Sequence, residues 1–399
     1  MLQVGQMRPT VPSPSNTLTF ASSSLVCVDY GSIQSLRDFI LSPPTPNSMF
    51  QFPIKPPKYL FHSLFKTVFF TVIITLLTTL FLLLWIHQSQ ADGKTVWGVD
   101  FSESQAVYLG LNPVETYSAI INDLGVKHIK IHINWNATEP TRSQFDFTSL
   151  DRMVREAEEN DVELILVIGM KTGRWPECHT PKWFKEVAVD ERQTEIIRYV
   201  STLVGRYKNS DAVAFWQVEN EPLLQFGTCS DWYYDQGTNL LKAEVAAVRA
   251  QDPTRKIILS DSGELSTWTE VAEIGDVVGV TMYRSSWEAT DKTFGLNPYT
   301  FLAPEFYSAK AAFIQSFYGK PVISVELQAE PWASKGLAEA SLAEQVLSMN
   351  PELFKENVEF AKQAGLGTYY FWGVEWWYYM KTTHNQPEIW ESSKTVFAE

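Results

Sequence analysis

Eight short apolar runs alternate with helix-periodic stretches between residues 95 and 399, and this predicts an α/β fold, a (β/α)8 (TIM) barrel. Two further observations favour the barrel over an open sheet. Several runs are continuous and β-branched, as in strands buried on both faces. No glycine-rich phosphate loop follows the first run, where a doubly wound dinucleotide fold would carry one. A single transmembrane helix and a disordered N-terminal segment are expected to precede the barrel.

Residues 1–66 are rich in Pro, Ser and Thr (VPSPSNTLTFASSS, LSPPTPNS, FPIKPPK) and show no sustained period, the composition of a disordered cytoplasmic segment. Val68–Ile86 follows without a charge (VFFTVIITLLTTLFLLLWI), long enough to span a bilayer at ~1.5 Å per residue, so residues 67–87 read as a membrane anchor. Lys55, Lys58 and Lys66 precede it and only Lys94 closely follows, which leaves the N-terminus in the cytoplasm and the rest outside. Ser89-Gln90-Ala91 is a passable cleavage site, and a secreted protein is the alternative to a retained anchor. Residues 88–94 form a polar linker.

The strands are expected at Val96–Phe101, His128–Trp135, Val162–Ile168, Val213–Val218, Lys256–Ser260, Val277–Met282, Val322–Val325 and Thr368–Trp372. Between them the helical period returns, opened by Pro113 after the first strand, then at Leu150–Glu159, 191–207, 236–250, Trp268–Ile274, 305–317 and 354–364.

The net charge of -14 argues against nucleic acid, since no basic stripe is present to neutralise phosphates. Of 32 basic and 46 acidic side chains, residues 1–91 hold five and two, so the exported part is strongly acidic. Three cysteines are too few for a disulfide framework. Cys178 and Cys229 lie in loops after consecutive strands and would pair in an oxidising compartment, or else remain two free thiols. Glu177, Cys178 and His179 are wrongly spaced for a structural zinc site, and Asn136-Ala-Thr138 is a glycosylation sequon.

In such barrels chemistry sits at the C-terminal ends of the strands. Those ends present Trp135 and Asn136, Lys171 and Arg174-Trp175, Asn220 and Glu221, Asp261, Tyr283 and Arg284, Glu326 and Trp372. Two strand-end carboxylates, amide and hydroxyl hydrogen-bonders and flat indole faces suit a carbohydrate, whose C–H faces stack while its hydroxyls bond directionally. Glycoside hydrolysis needs one carboxyl to protonate the leaving oxygen and another to attack the anomeric carbon.

Trp216-Gln-Val-Glu-Asn-Glu-Pro222 resembles the strand-four Asn-Glu-Pro motif of the retaining glycosidases of clan A, with cellulase-like and mannanase-like families nearest. Val322-Ile-Ser-Val-Glu326 is similar to that clan's strand-seven nucleophile segment, Thr281-Met-Tyr283 to its strand-six tyrosine, and Trp372 to its strand-eight tryptophan. The resemblance covers about residues 95–380. It implies that Glu221 is the acid/base, Glu326 the nucleophile, and Asn220 the holder of the sugar 2-hydroxyl. Tyr283 would keep Glu326 ionised and aimed, and Trp372 and Trp332 would line the sugar pocket. Lys130 or His132 stands where the clan often has arginine on strand two. Glu219 and Glu330 are rival carboxylates with the bland reading of surface or salt-bridge groups, and Glu375 would bind a hydroxyl or decorate the rim.

These readings make a retaining β-glycosidase on β-linked poly- or oligosaccharides, a monomer without cofactor or metal. A transglycosylase and a non-catalytic carbohydrate-binding barrel are the alternatives. The many tryptophans at one barrel face favour endo over exo action.

Overall fold

The computed structural model describes residues 65–78, 94–285, 299 and 302–398. Eight parallel strands close a barrel: β1 (Val96–Phe101), β2 (His128–His132), β3 (Glu163–Ile168), β4 (Val213–Val218), β5 (Lys256–Asp261), β6 (Val277–Met282), β7 (Val322–Gln328) and β8 (Thr368–Trp372). Each pairs with the next in sequence, and β8 pairs back onto β1. The expected strands are all present, with three shifts at the site end, one of them the fifth strand running on to Asp261. The second stops at His132, because Trp135 starts the short helix Trp135–Thr138, and the seventh runs on to Gln328.

The helices begin where the local chemistry demands. The Asn112 side chain accepts from Val114 N at 3.0 Å, with Pro113 in the first turn of Pro113–Asn122. Asn350 does the same for Pro351–Ala364, which ends at Gly365 with φ 67°. The apolar faces of these helices pack on outward strand residues such as Val99, Ile129, Leu164, Trp216, Leu259, Val280 and Phe371. A smaller cluster of Ile165, Ile258, Val277, Val325 and Tyr370 fills the barrel interior.

One irregularity decides the site. Strand β7 carries one extra residue against both neighbours: Val280 and Thr281 of β6 pair with Ser324 and Glu326, and Tyr369 and Phe371 of β8 with Ser324 and Leu327. Strict alternation would send Glu326 away from the interior that Val325 faces. The bulge instead lets both consecutive side chains turn inward.

Residues 65–78 form a separate helix whose apolar side chains, among them Phe65, Ile74 and Leu76, are exposed. Among the described residues no helix is long and apolar enough to cross a membrane. The transmembrane helix expected at 67–87 therefore has no support in the fold. Its remainder, residues 1–64 and the linker to residue 93 lie outside the described residues.

Candidate active site

The inward ends of β1 and β2 contribute Asp100, Lys130 and His132, all buried. Lys130 Nζ lies 3.3 Å from Glu326 Oε1 and 3.1 Å from Asp100 Oδ1, and it donates to Val325 O at 3.0 Å. Just after β6, Tyr283 Oη donates to Glu326 Oε2 at 2.7 Å. Glu326, only 2% exposed, thus has one oxygen held by an ammonium and the other by a phenol. Burial alone would raise its pKa, but Lys130 and the Tyr283 hydroxyl outweigh it and hold the carboxyl below its ordinary value.

Glu221 follows β4 on a backbone that turns left-handed twice, at Glu219 (φ 59°) and at Glu221 itself (φ 44°). Such conformations cost of order 1–3 kcal/mol each for non-glycine residues. Hydrogen bonds over-determine them here. Glu221 N donates to Ser260 Oγ at 2.9 Å, and Lys171 Nζ donates to the carbonyls of Glu221 (2.7 Å) and Leu224 (2.8 Å). Burial, and then the negative charge of Glu326, push the Glu221 carboxyl well above its ordinary value, with Lys171 opposing. Thr281 links the pair: it is the register partner of Glu326, and its hydroxyl donates to Glu221 Oε1 at 3.3 Å. Two neighbouring carboxyls are thereby driven apart in pKa, the arrangement that separates an acid from a nucleophile.

Asn220 adjoins them, its amide oxygen accepting from Gln217 Nε2 at 3.1 Å. Its amide nitrogen carries no protein acceptor among the described residues. His132 is fixed from both sides. Nδ1 donates to the Thr172 carbonyl, which can only accept, and Nε2 lies 3.2 Å from Asp100 Oδ1. Burial and Lys130 press the ring well below its ordinary pKa. Burial raises Asp100 correspondingly, with Lys130 opposing.

Trp372 and Trp332 stand near the site in different ways. Trp332 meets Tyr283 edge-on at 5.6 Å. One face of Trp372 is covered by the guanidinium of Arg174 at 3.7 Å, and its ring meets His132 edge-on at 5.5 Å. Arg174 is itself gripped by Glu330 and, at 3.0 Å, by Glu375 Oε2. Glu330 and Glu375 are thus buried counter-ions of Arg174 and not rim decoration. Glu219 is equally internal, accepting from Met170 N at 2.8 Å and Lys171 N at 2.5 Å. Cys178 and Cys229 form a disulfide, Cα–Cα 5.1 Å, tying the loops after β3 and β4.

Sequence reasoning missed Asp100, Thr281 and the anchoring roles of Lys171 and Arg174. Asp100 left one usable signal, a carboxylate at an inward position of the otherwise apolar VWGVDF run. The others act through bonds between distant strands, which no local pattern reveals.

Residues 111–281 match the family model described as Glycosyl hydrolase family 10, a stretch that includes Glu221 and ends before Glu326. Over 175 residues the chain is 26% identical to endo-1,4-beta-xylanase 2 of Claviceps purpurea, covering 43% of this chain and 50% of that one. Over 156 residues it is 31% identical to endo-1,4-beta-xylanase A of Phanerodontia chrysosporium, 36% of each chain. It therefore spans half or less of the length of these curated relatives. Xylanase 10B from Thermotoga maritima superposes with a TM-score of 0.52 at 14% identity, covering 76% of this chain and 95% of that one. GH5_18 from Streptomyces cattleya gives 0.51 at 14% identity, covering 71% of each. These two likenesses concern the fold. Together with the closed barrel, the partial family match makes the chain similar to the clan A (β/α)8 glycoside hydrolases.

Proposed function

We propose that residues 95–399 form a retaining β-glycosidase that hydrolyses β-linked polysaccharide by double displacement, with Glu326 as nucleophile and Glu221 as acid/base. The observation that carries this reading is a pair of buried carboxyls at the strand ends, Glu326 held by Lys130 and the Tyr283 hydroxyl and Glu221 accepting from the Thr281 hydroxyl. Glu326 attacks the anomeric carbon while Glu221 protonates the departing oxygen; Glu221 then deprotonates the water that releases the sugar. Asn220 is assigned to the sugar 2-hydroxyl, while Lys130, His132 and Tyr283 hold the nucleophile or the sugar around it. Trp332 and the uncovered side of Trp372 border the glycone. Xylan is the first substrate to assay, because the matched relatives are named endo-1,4-beta-xylanases. The domain is read as acting outside the cytoplasm, tethered through residues 67–87 or released by cleavage near Ala91, and as a monomer.

Azide tests the roles. Glu326→Ala leaves no covalent route and is expected to slow every substrate by several orders of magnitude. Glu221→Ala is expected to spare aryl glycosides with acidic phenols in the first step and to stall in the second. Azide needs no base, so it should restore turnover of Glu221→Ala with a β-glycosyl azide as product. A β-azide from Glu326→Ala, or full polysaccharide activity in Glu221→Ala, refutes the assignment.

A further inference from the structure

The Thr281 hydroxyl lies between two carboxyls. Glu221 Oε1 is 3.3 Å away on one side, and Glu264 Oε2, from the loop after β5, is 3.4 Å away on the other. Gly263 N donates to the same hydroxyl oxygen at 3.0 Å. A hydroxyl has one proton and two lone pairs, and Gly263 takes one of the lone pairs. Thr281 therefore donates to only one carboxyl at a time, and its remaining lone pair is filled only when the other carboxyl carries a proton. The chain Glu221–Thr281–Glu264 is complete with one neutral end and one charged end.

The loop that carries Glu264 is fixed in this place. Glu264 Oε1 accepts from Tyr283 N at 2.8 Å and from Tyr307 Oη at 2.7 Å, two donors that favour its charged form. Lys310 Nζ donates to the carbonyls of Gly263 (2.7 Å) and Ser266 (2.6 Å), and Trp268 Nε1 to that of Ser262 at 2.9 Å. Gly263 permits the close approach to β6, since a Cβ there would lie 1.8 Å from Thr281 O.

We propose that Glu264 is a positioning residue for Glu221, coupled to it through the Thr281 hydroxyl, whose single proton turns between the two carboxyls as Glu221 gives up and regains its own. This rests on the glycosidase reading above, in which Glu221 is the acid/base. While Glu221 is the acid it donates to Thr281, and Thr281 donates to Glu264. As Glu326 bonds to the anomeric carbon and the glycosidic C–O bond breaks, the Glu221 proton goes to the departing oxygen and the hydroxyl turns to the new carboxylate. When Glu221 takes a proton from the attacking water and the bond to Glu326 breaks, the hydroxyl turns back. Glu264 takes up no proton in either step. Other charges face the same groups. Burial, Glu326, Glu177 and Glu264 raise the Glu221 carboxyl and Lys171 lowers it. Burial raises Glu264, while Tyr307, the Tyr283 N–H and Lys310 lower it, and Arg284 feels its charge.

Glu264→Gln keeps an acceptor for Tyr283 and Tyr307, but its amide donates to Thr281, which then donates to Glu221 permanently. The alkaline limb of kcat/KM should move about one pH unit lower, with a tenfold smaller acid fraction along it, while the acid limb stays in place. The loss should be severalfold larger for aryl β-xylosides with weakly acidic phenols than for those with strongly acidic ones, which need little protonation. Thr281→Val should move the same limb and Thr281→Ser restore it, a pattern that a merely structural role for Glu264 does not produce. Infrared difference titration of the full-length protein against its Glu221→Gln variant follows the Glu221 carboxyl without turnover, and Glu264→Gln should lower that midpoint as well. Release of no aryl group by wild type overturns the reading of the carboxyl pair alone, and the infrared midpoint still decides the coupling. A midpoint unmoved in both Glu264→Gln and Thr281→Val overturns the role of Glu264.

Discussion

At the scale of single residues, Tyr283 and Lys130 share the task of keeping Glu326 ionised. Glu326 has a lowered pKa, so activity requiring its anion is present above that pKa and is lost as pH falls through it. Glu221 has a raised pKa, so activity requiring its acid form is lost as pH rises through that value. Tyr283→Phe removes one of the two holds on Glu326 and should move the acid limb of kcat/KM to higher pH while leaving the alkaline limb in place. A drop in kcat of about 10–100-fold is expected alongside, the size of a charge-assisted hydrogen bond of ~1.5–3 kcal/mol. A pH profile of the variant with unmoved limbs would detach Tyr283 from the nucleophile. The pair proposed as catalytic was legible because Glu221 and Glu326 end apolar runs. Asp100 was not recognised, because its importance comes from His132 and Lys130 on the next strand.

At the scale of elements, the loops after β3 and β4 are joined by a disulfide with a sequence separation of 51. Chain-entropy arguments assign a crosslink of that span about 4 kcal/mol. Reduction, or Cys178→Ser with Cys229→Ser, should lower the melting temperature measurably without unfolding the barrel at room temperature. Calorimetry with and without reductant checks this, and an unchanged midpoint would mean that the loop hydrogen bonds suffice. Behind the same loops, Glu219 interacts with Glu244, and burial raises both carboxyls, Glu244 far more strongly. A group whose folded pKa is raised destabilises the fold as pH climbs from its unfolded value through the folded one. As pH rises above the ordinary carboxylate range, wild type should therefore lose stability relative to Glu244→Gln, which does not ionise. Parallel melting curves for the two proteins across that range would exclude the pair as a source of alkaline instability.

At the scale of the whole molecule, the eight strands close the barrel by pairing with one another. A protein beginning near Ala91 is expected to fold as a monomeric barrel with native circular dichroism and a cooperative melt. Aggregation together with loss of that signal would show that the domain is not self-contained. Elution of the folded fragment at twice its mass would correct the monomer reading alone.

Strand order, the closed barrel and the two carboxylates followed from local pattern: β-branched runs report burial on both faces, and charged residues at their ends report where that burial stops. Four strands even begin and end where the sequence places them. What only the tertiary structure decided is how those ends meet. The extra residue in β7 turns Glu326 back toward the interior, and a bulge exists only relative to the strands beside it. The covering of Trp372 by Arg174, from a loop nearly two hundred positions earlier, and the gripping of that arginine by Glu330 and Glu375 have the same origin. Local periodicity encodes which face of an element is buried. The partner found there, and hence each carboxyl's charge state, depends on contacts between residues far apart in the chain.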